Sequence, residues 1–238
     1  MAEHTVKSYE EELRQLGNLI ARMGGLVEEQ IAGAIEVVLQ RDAARAAEIV
    51  QADAKIDRLE GEIDAQVVRI MALRQPMAVD LRLVLGALRI AADLERAADY
   101  AKNVAKRAIA LAEVAPLRPV HAIARMGAKV REMLKDVLDA FAANDIEKAI
   151  SVWNRDEELD EMYSSLFREL LTYMMEDPRN ISGSTHLLFI AKNIERIGDH
   201  TTNIAESIHF LVKGVPLREA RPKGDVSSFA VVAEPKRA

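Results

Sequence analysis

The residues with the clearest capacity for chemistry are carboxylates at helical spacing. Glu95, Asp99 and Asn103 follow one another in steps of four, and 100 residues downstream Glu195, Asp199 and Asn203 repeat the series. Seven of the seventeen positions in Ile90–Lys106 and Ile190–Glu206 are identical, with Ile90, Ala91, Arg96 and Ala105 matched around the polar three. Steps of four bring side chains to one side of a helix. Two carboxylates and an amide so placed form a row of oxygen donors suited to a hard cation.

A second acidic pair, Asp53 and Asp57, recurs as Asp156 and Asp160. If the helices that carry these residues pack together, Asp53, Asp57, Glu95 and Asp99 converge in one half of the chain. Asp156, Asp160, Glu195 and Asp199 converge in the other. Asn103 and Asn203 are weaker candidates on the same rows. Four carboxylates at the border of a core repel one another unless protonated or neutralised by a cation. The alternative is ordinary helix-surface ion pairing, for which Arg58, Arg96, Arg155 and Arg196 are close in sequence. Spacing alone leaves metal binding and ion pairing both open. An oxygen-only donor set favours magnesium, manganese, calcium or iron over thiolate-held zinc. His200 turns about 100° away from Asp199. It reads as packed or solvated. There is no Gly-rich phosphate loop, Ser/His/Asp pattern or HExxH motif, so the chain reads as a non-enzyme.

The elements that must position these acids follow from hydrophobic periodicity. An amphipathic helix is predicted over Tyr9–Arg41 on the stripe Leu16, Leu19, Ile20, Met23, Val27, Ile31, Ile35 and Val38. Gly24-Gly25 inside it marks either a close crossing or a kink. Asp42 is a good N-cap for a second helix over Ala43–Leu73, which carries Asp53, Asp57, Glu60 and Asp64 beside its apolar stripe and closes before Pro76. A third helix over Val79–Glu113 bears Glu95 and Asp99 next to an Ala-rich stripe. The pattern then starts again. Ala21-Arg22-Met23-Gly24 returns as Ala124-Arg125-Met126-Gly127, and Asp42, Asp53 and Asp57 return as Asp145, Asp156 and Asp160 at the same offset of 103. The offset falls to 100 in the third helices, which places a three-residue length change in one loop. The chain is therefore expected to be all-α, a tandem duplication of a three-helix bundle with six long helices. The first bundle spans 7–115, the second 116–216, and 217–238 is expected to be a disordered tail.

Composition agrees. Among 238 residues, 50% are apolar and 4% aromatic, with no cysteine and a net charge of −6. No Lys/Arg block suggests nucleic acid. No stretch approaches the ~18 apolar residues of a membrane span and no signal-peptide core is visible, so a cytoplasmic location is expected.

The duplicated unit, the third-helix segments DLERAADYAKNVA and NIERIGDHTTNIA, and the two DxxxD pairs together resemble the PhoU family of phosphate-transport regulators, over about residues 7–216. The resemblance implies two PhoU-like bundles side by side. It implies multinuclear clusters, of iron or zinc in some members, held by the E/DxxxD acids; manganese and magnesium remain candidates from the donor set. It also implies a cytoplasmic negative regulator of the phosphate-starvation response, associated with the ATPase of the phosphate ABC importer and with a sensor histidine kinase. Such a chain would be homodimeric and would reach the membrane only through its partners. Glu60 and Asp64 are answered by Tyr163 and Phe167, so the second cluster is expected to be the less acidic. The rival expectation is a metal-dependent enzyme or a metal store on the same carboxylate-bearing bundle.

Overall fold

The computed structural model describes residues 2–219 together with Arg221, Lys223 and Gly224. The helices are α1 (Ala2–Gln40), α2 (Ala43–Ala52), α3 (Ala54–Arg74), α4 (Ala78–Ala112), α5 (Val120–Ala143), α6 (Ile146–Asn154), α7 (Asp156–Glu176) and α8 (Ile181–Lys213), with a 3-10 turn at Pro178–Asn180. No strand occurs among the described residues.

The predicted stripes are the buried faces. Val84, Ala87, Ala91, Leu94, Ala98, Ala101 and Ala105 all pack into the core, as do Leu16, Ile20, Met23, Val27, Ile31, Ile35 and Val38. Asp42 caps α2 by accepting from the Arg45 amide at 3.0 Å, and its counterpart Asp145 accepts from Lys148 at the same distance. The length change falls in a loop, as expected. Three residues separate α3 from α4, but Asp177 alone stands between α7 and the 3-10 turn.

One expectation needs correction. The second helix of each unit is not continuous but divided, α2 from α3 at Asp53 and α6 from α7 at Arg155. Backbone torsions stay helical at Asp53 (φ −51°, ψ −38°). The ladder tightens there, because the Ile56 amide reaches the Asp53 carbonyl at 2.8 Å, and Arg155 reaches Val152 in the same way at 3.0 Å. The two buried aspartates therefore lie at tightened turns, a feature that periodicity does not reveal.

Four helices form the centre. α4 packs most extensively on α8, α1 on α4, α5 on α8, and α1 on α5. The remaining helices lie outside, α3 against α1 and α4, and α7 against α5 and α8. The two halves consequently share a single core, and both central crossings respect the duplication. At the α1–α5 crossing a Cβ on Gly24 would stand 2.5 Å from Leu138 Cδ2, and one on Gly127 would stand 2.7 Å from Ile35 Cγ1. These two contacts exchange equivalent residues, so Gly24 serves a close crossing and α1 runs on unbroken. α4 and α8 are antiparallel, with Arg89 over Phe210 at one end and Arg107 over Phe189 at the other.

Candidate carboxylate centres

In the first half, α3 packs against α4 and brings its acids to the border of the core. Asp53, only 4% exposed, accepts from Gln30 Nε2 at 2.9 Å and from Lys102 Nζ at 2.5 Å. Lys102 also donates to Asp99 Oδ1 at 2.5 Å, so one ammonium joins the acids of two helices. Its own pKa is held well above the usual lysine value, where the two carboxylate hydrogen bonds outweigh burial. Glu95 is half-buried, and burial pushes its pKa up to about 7, with the charges of Asp99 and Glu60 adding to the shift. Glu60 is raised as well, first by burial and then by Asp64, Asp57 and Asp99. Asp57 and Asp64 are exposed.

The second half places its acids deeper. Asp156, Asp160 and Glu195 are 1%, 1% and 3% exposed. Asp156 accepts from Thr202 Oγ1 at 3.2 Å and from Arg221 Nε at 2.8 Å. Arg221 also pairs with Asp199 at 2.9 Å, and Lys223 lies 3.3 Å from the same carboxylate. The Gly224 amide donates to Asp160 Oδ2 at 3.0 Å, and a Cβ at Gly224 would come within 2.9 Å of the Glu157 carbonyl oxygen. Lys192 donates to Glu195 Oε1 at 2.8 Å and lies 4.8 Å from the Tyr163 ring centroid. Burial raises Glu195 to about 7 despite Lys192, and raises Asp160 for the same reason. Among the described residues, two buried carboxylate oxygens, Asp160 Oδ1 and Glu195 Oε2, have no hydrogen-bond partner.

Each predicted set of acids is thus gathered on one helix pair, but as charge networks. Among the described residues, no group of three or more His, Asp or Glu side chains is arranged to hold a metal ion. The direct ion pairs are not made by the arginines proximity suggested, although the Arg96 charge offsets part of the rise at Glu95 and Glu60. Arg155 pairs with Glu132 and Asp136 on α5, and Arg196 bonds the Tyr100 hydroxyl. Lys102 and Lys192 are missed partners, although each sits three residues from its acid, a legible helical spacing. Arg221 lay in the expected disordered tail, and nothing in its local sequence signals its destination. The part of that tail beyond Gly224 lies outside the described residues.

Asn103 and Asn203 also depart from expectation. A step of four turns 400°, so a row drifts by about 40° per step and Asn103 stands about 80° around from Glu95. Asn203 instead donates to Asp93 Oδ1 on α4 at 3.2 Å, and Asn103 lines a cavity on the same α4–α8 seam. His200 is packed there, its Nδ1 2.8 Å from Asp93 and its ring stacked on Tyr100.

With this geometry in hand, comparison with known proteins is direct. The PhoU domain profile matches residues 20–108 and 123–208, one copy per half. A phosphate-specific transport system accessory protein PhoU homolog of Caulobacter vibrioides is 54% identical over 229 residues, covering 96% of this chain and all of that protein. A protein of the same description from Rhizobium meliloti is 47% identical over 226 residues, 94% of this chain and 95% of its own. The crystal structure of PhoU from Pseudomonas aeruginosa superposes with a TM-score of 0.84 at 40% identity, covering 87% of this chain and 100% of that one. The phosphate transport system regulatory protein PhoU of Streptococcus pneumoniae gives 0.83 at 30% identity, over 89% and 100% of the two chains. The duplicated bundle, its paired acid clusters and these matches along nearly the whole length agree, and the chain belongs to the PhoU family.

Proposed function

We propose that this protein is a cytoplasmic negative regulator of the phosphate-starvation response and a modulator of phosphate uptake. It acts as a non-catalytic adaptor between the ATPase of the phosphate importer and a sensor histidine kinase. The observation that carries this reading is the 54% identity over 96% of the chain to a protein named as accessory to the phosphate-specific transport system. The regulatory title of the Streptococcus pneumoniae structure supports it further. No helix among the described residues is long and apolar enough to cross a membrane, in keeping with a link to the membrane made through partners. Exposed apolar side chains gather around the α3–α4 turn, where Val68, Leu73, Met77 and Val79 are 67%, 66%, 79% and 57% exposed. Such residues suit docking to a partner or to a second copy of the chain.

In this proposal the acid clusters hold metal as a structural cross-link. Asp53, Asp57, Glu95 and Asp99 would serve one centre, and Asp156, Asp160, Glu195 and Asp199 the other. The unpartnered oxygens of Asp160 and Glu195 and the all-oxygen donor set fit a hard cation. A bound cation would supply positive charge where Lys102 and Arg221 now supply it.

The test is a secreted-phosphatase reporter in a deletion strain grown with excess phosphate. High reporter activity, returned to baseline by the intact gene, is expected. Baseline activity in the deletion strain would contradict the regulatory role. For the metal centre, alanine at both Glu95 and Asp99 is expected to lower metal content and melting temperature together; unchanged values for both would overturn it. Metal loading far above a few ions per chain would instead favour a store.

A further inference from the structure

The antiparallel seam between α4 and α8 carries two open cavities, of about 570 and 490 Å³. The duplication relates them. The positions that α4 contributes to one, 89, 92, 93 and 96, return on α8 as 189, 192, 193 and 196 in the other. Positions 203, 206, 207 and 210 return in the same way as 103, 106, 107 and 110. Two cavities built from one ancestral pattern isolate what has changed between them.

What has changed is charge. Asp93 and Glu206 in the larger cavity are replaced by Asn193 and Lys106 in the smaller one. Ala92 is replaced by Lys192, and Ser207 by Arg107. Only the pairs Arg96 and Arg196, and Asn203 and Asn103, are common to both. The larger cavity thus carries two arginines against two acids, and the smaller is lined by Lys106, Arg107, Lys192 and Arg196 with no acid among the described lining residues.

The cationic groups are held in position. The Arg107 guanidinium lies 4.1 Å from the Phe189 ring centroid, and Arg196 lies 5.6 Å from that of Tyr100 while bonding its hydroxyl at 3.1 Å. Lys192 is anchored on Glu195. Lys106 makes no ion pair among the described residues, and His186 Nδ1, buried in the same cavity, has no hydrogen-bond partner. Cations brought together in a concavity repel one another and focus a positive field outward. Arginine and lysine together are the usual means of reading phosphate oxygens.

We propose that the cavity lined by Lys106, Arg107, Lys192 and Arg196 binds a small polyanion with two or more linked phosphate groups. One phosphate group carries roughly −1.5 to −2 at neutral pH; with Lys192 paired to Glu195, the three remaining cations, Lys106, Arg107 and Arg196, still exceed what a single group balances. A cavity of 490 Å³ lies in the range of small-ligand sites and leaves room for a chain of such groups. One face of each aromatic ring is taken by a guanidinium group, and the cationic lining favours recognition of the phosphates.

The experiment is calorimetric titration of the intact chain with inorganic tripolyphosphate, in metal-free buffer at physiological salt. Saturable binding of one ligand per chain is expected. The double variant Lys106→Glu, Asn193→Asp writes the mirror cavity's residues into this one at positions with solvent access, so the fold is retained, with its melting curve as the check. Binding to it is expected to weaken about tenfold or more, ~1.4 kcal/mol. Lys55→Glu, which matches the charge reversal at Lys106 but lies on the exposed face of α3, is expected to leave binding unchanged. ATP binding as tightly as tripolyphosphate would support recognition of the phosphate chain whichever molecule carries it. The proposal is overturned by no saturable binding, by equal loss in Lys55→Glu, by orthophosphate binding as tightly, or by ATP binding where tripolyphosphate does not.

Discussion

Lys102 and Thr202 occupy equivalent positions in the two third helices, and that one difference decides where each acid cluster finds its counter-charge. In the first half, Lys102 reaches both Asp53 and Asp99 from within the bundle. In the second, Thr202 offers Asp156 a hydroxyl and no charge. The missing cation arrives from outside the duplicated unit, as Arg221, which pairs with Asp156 and Asp199 together. Tyr163 in place of Glu60 removes an acid from the second cluster and sets a ring under Lys192. The first cluster is therefore rich in acids, two of them joined by a fixed lysine. The second has fewer acids, buries them more deeply, and depends on a tethered segment. Duplication preserved the carboxylates and let their neutralisation diverge.

The largest expected effect comes from Lys102→Ala. It strands buried Asp53 without its cation, and loss of one partner of a buried pair is costly, here about 2–3 kcal/mol given the partial exposure of Asp99. Urea unfolding measures it, and a loss under about 0.5 kcal/mol would place the pair with ordinary surface bridges.

A pH dependence comes next. Folded Glu195 titrates at about 7 against an ordinary value of 4.5, so the folded chain holds an extra proton between those limits. Stability from this group is fully present below about pH 4.5 and is lost as the pH rises to 7 and beyond. In metal-free protein, Glu195→Gln is expected to shrink the fall in stability between about pH 5 and about pH 8 by about 2 kcal/mol. An unchanged slope would show that Lys192 keeps the carboxylate ionised.

Arg221→Ala is expected to cost about 1–2 kcal/mol, less than Lys102→Ala because Thr202 and Lys223 remain beside the acids. The same change is expected to raise manganese affinity at the second cluster, read by titration. Glu95→Gln gives the smallest effect. Its folded pKa is also about 7, so the pH slope changes in the same direction as for Glu195→Gln, but by less because the carboxylate is part exposed.

The sequence made the architecture legible because it is written in periodic apolar positions. The Ala-rich stripe of α4, the caps at Asp42 and Asp145, and the three-residue loop difference are all local or repetitive signals. The placing of the eight acids on two helix pairs was legible for the same reason. The breaks at Asp53 and Arg155 were not, since torsions there stay helical and only the hydrogen-bond ladder tightens. Asn103 and Asn203 were misplaced by treating steps of four as an exact repeat, when the row drifts around the helix and delivers both amides to the α4–α8 seam. Arg221 was illegible in principle. Its contacts are 65 and 22 residues away in sequence, in a segment without periodicity, and only the folded cluster gives them a reason.

The most direct test of this divergence is a double-mutant cycle between Thr202→Lys and Arg221→Ala, followed by urea unfolding. Thr202→Lys restores the lysine that the first half has at this position. Alone, it is expected to destabilise the chain, because a second cation must share the space that Arg221 fills. Combined with Arg221→Ala, it is expected to recover about 1 kcal/mol relative to Arg221→Ala alone, a coupling of opposite sign to its single effect. Additive effects, or an Arg221→Ala chain as stable as the original, would contradict the assignment of Arg221 as the second cluster's cation.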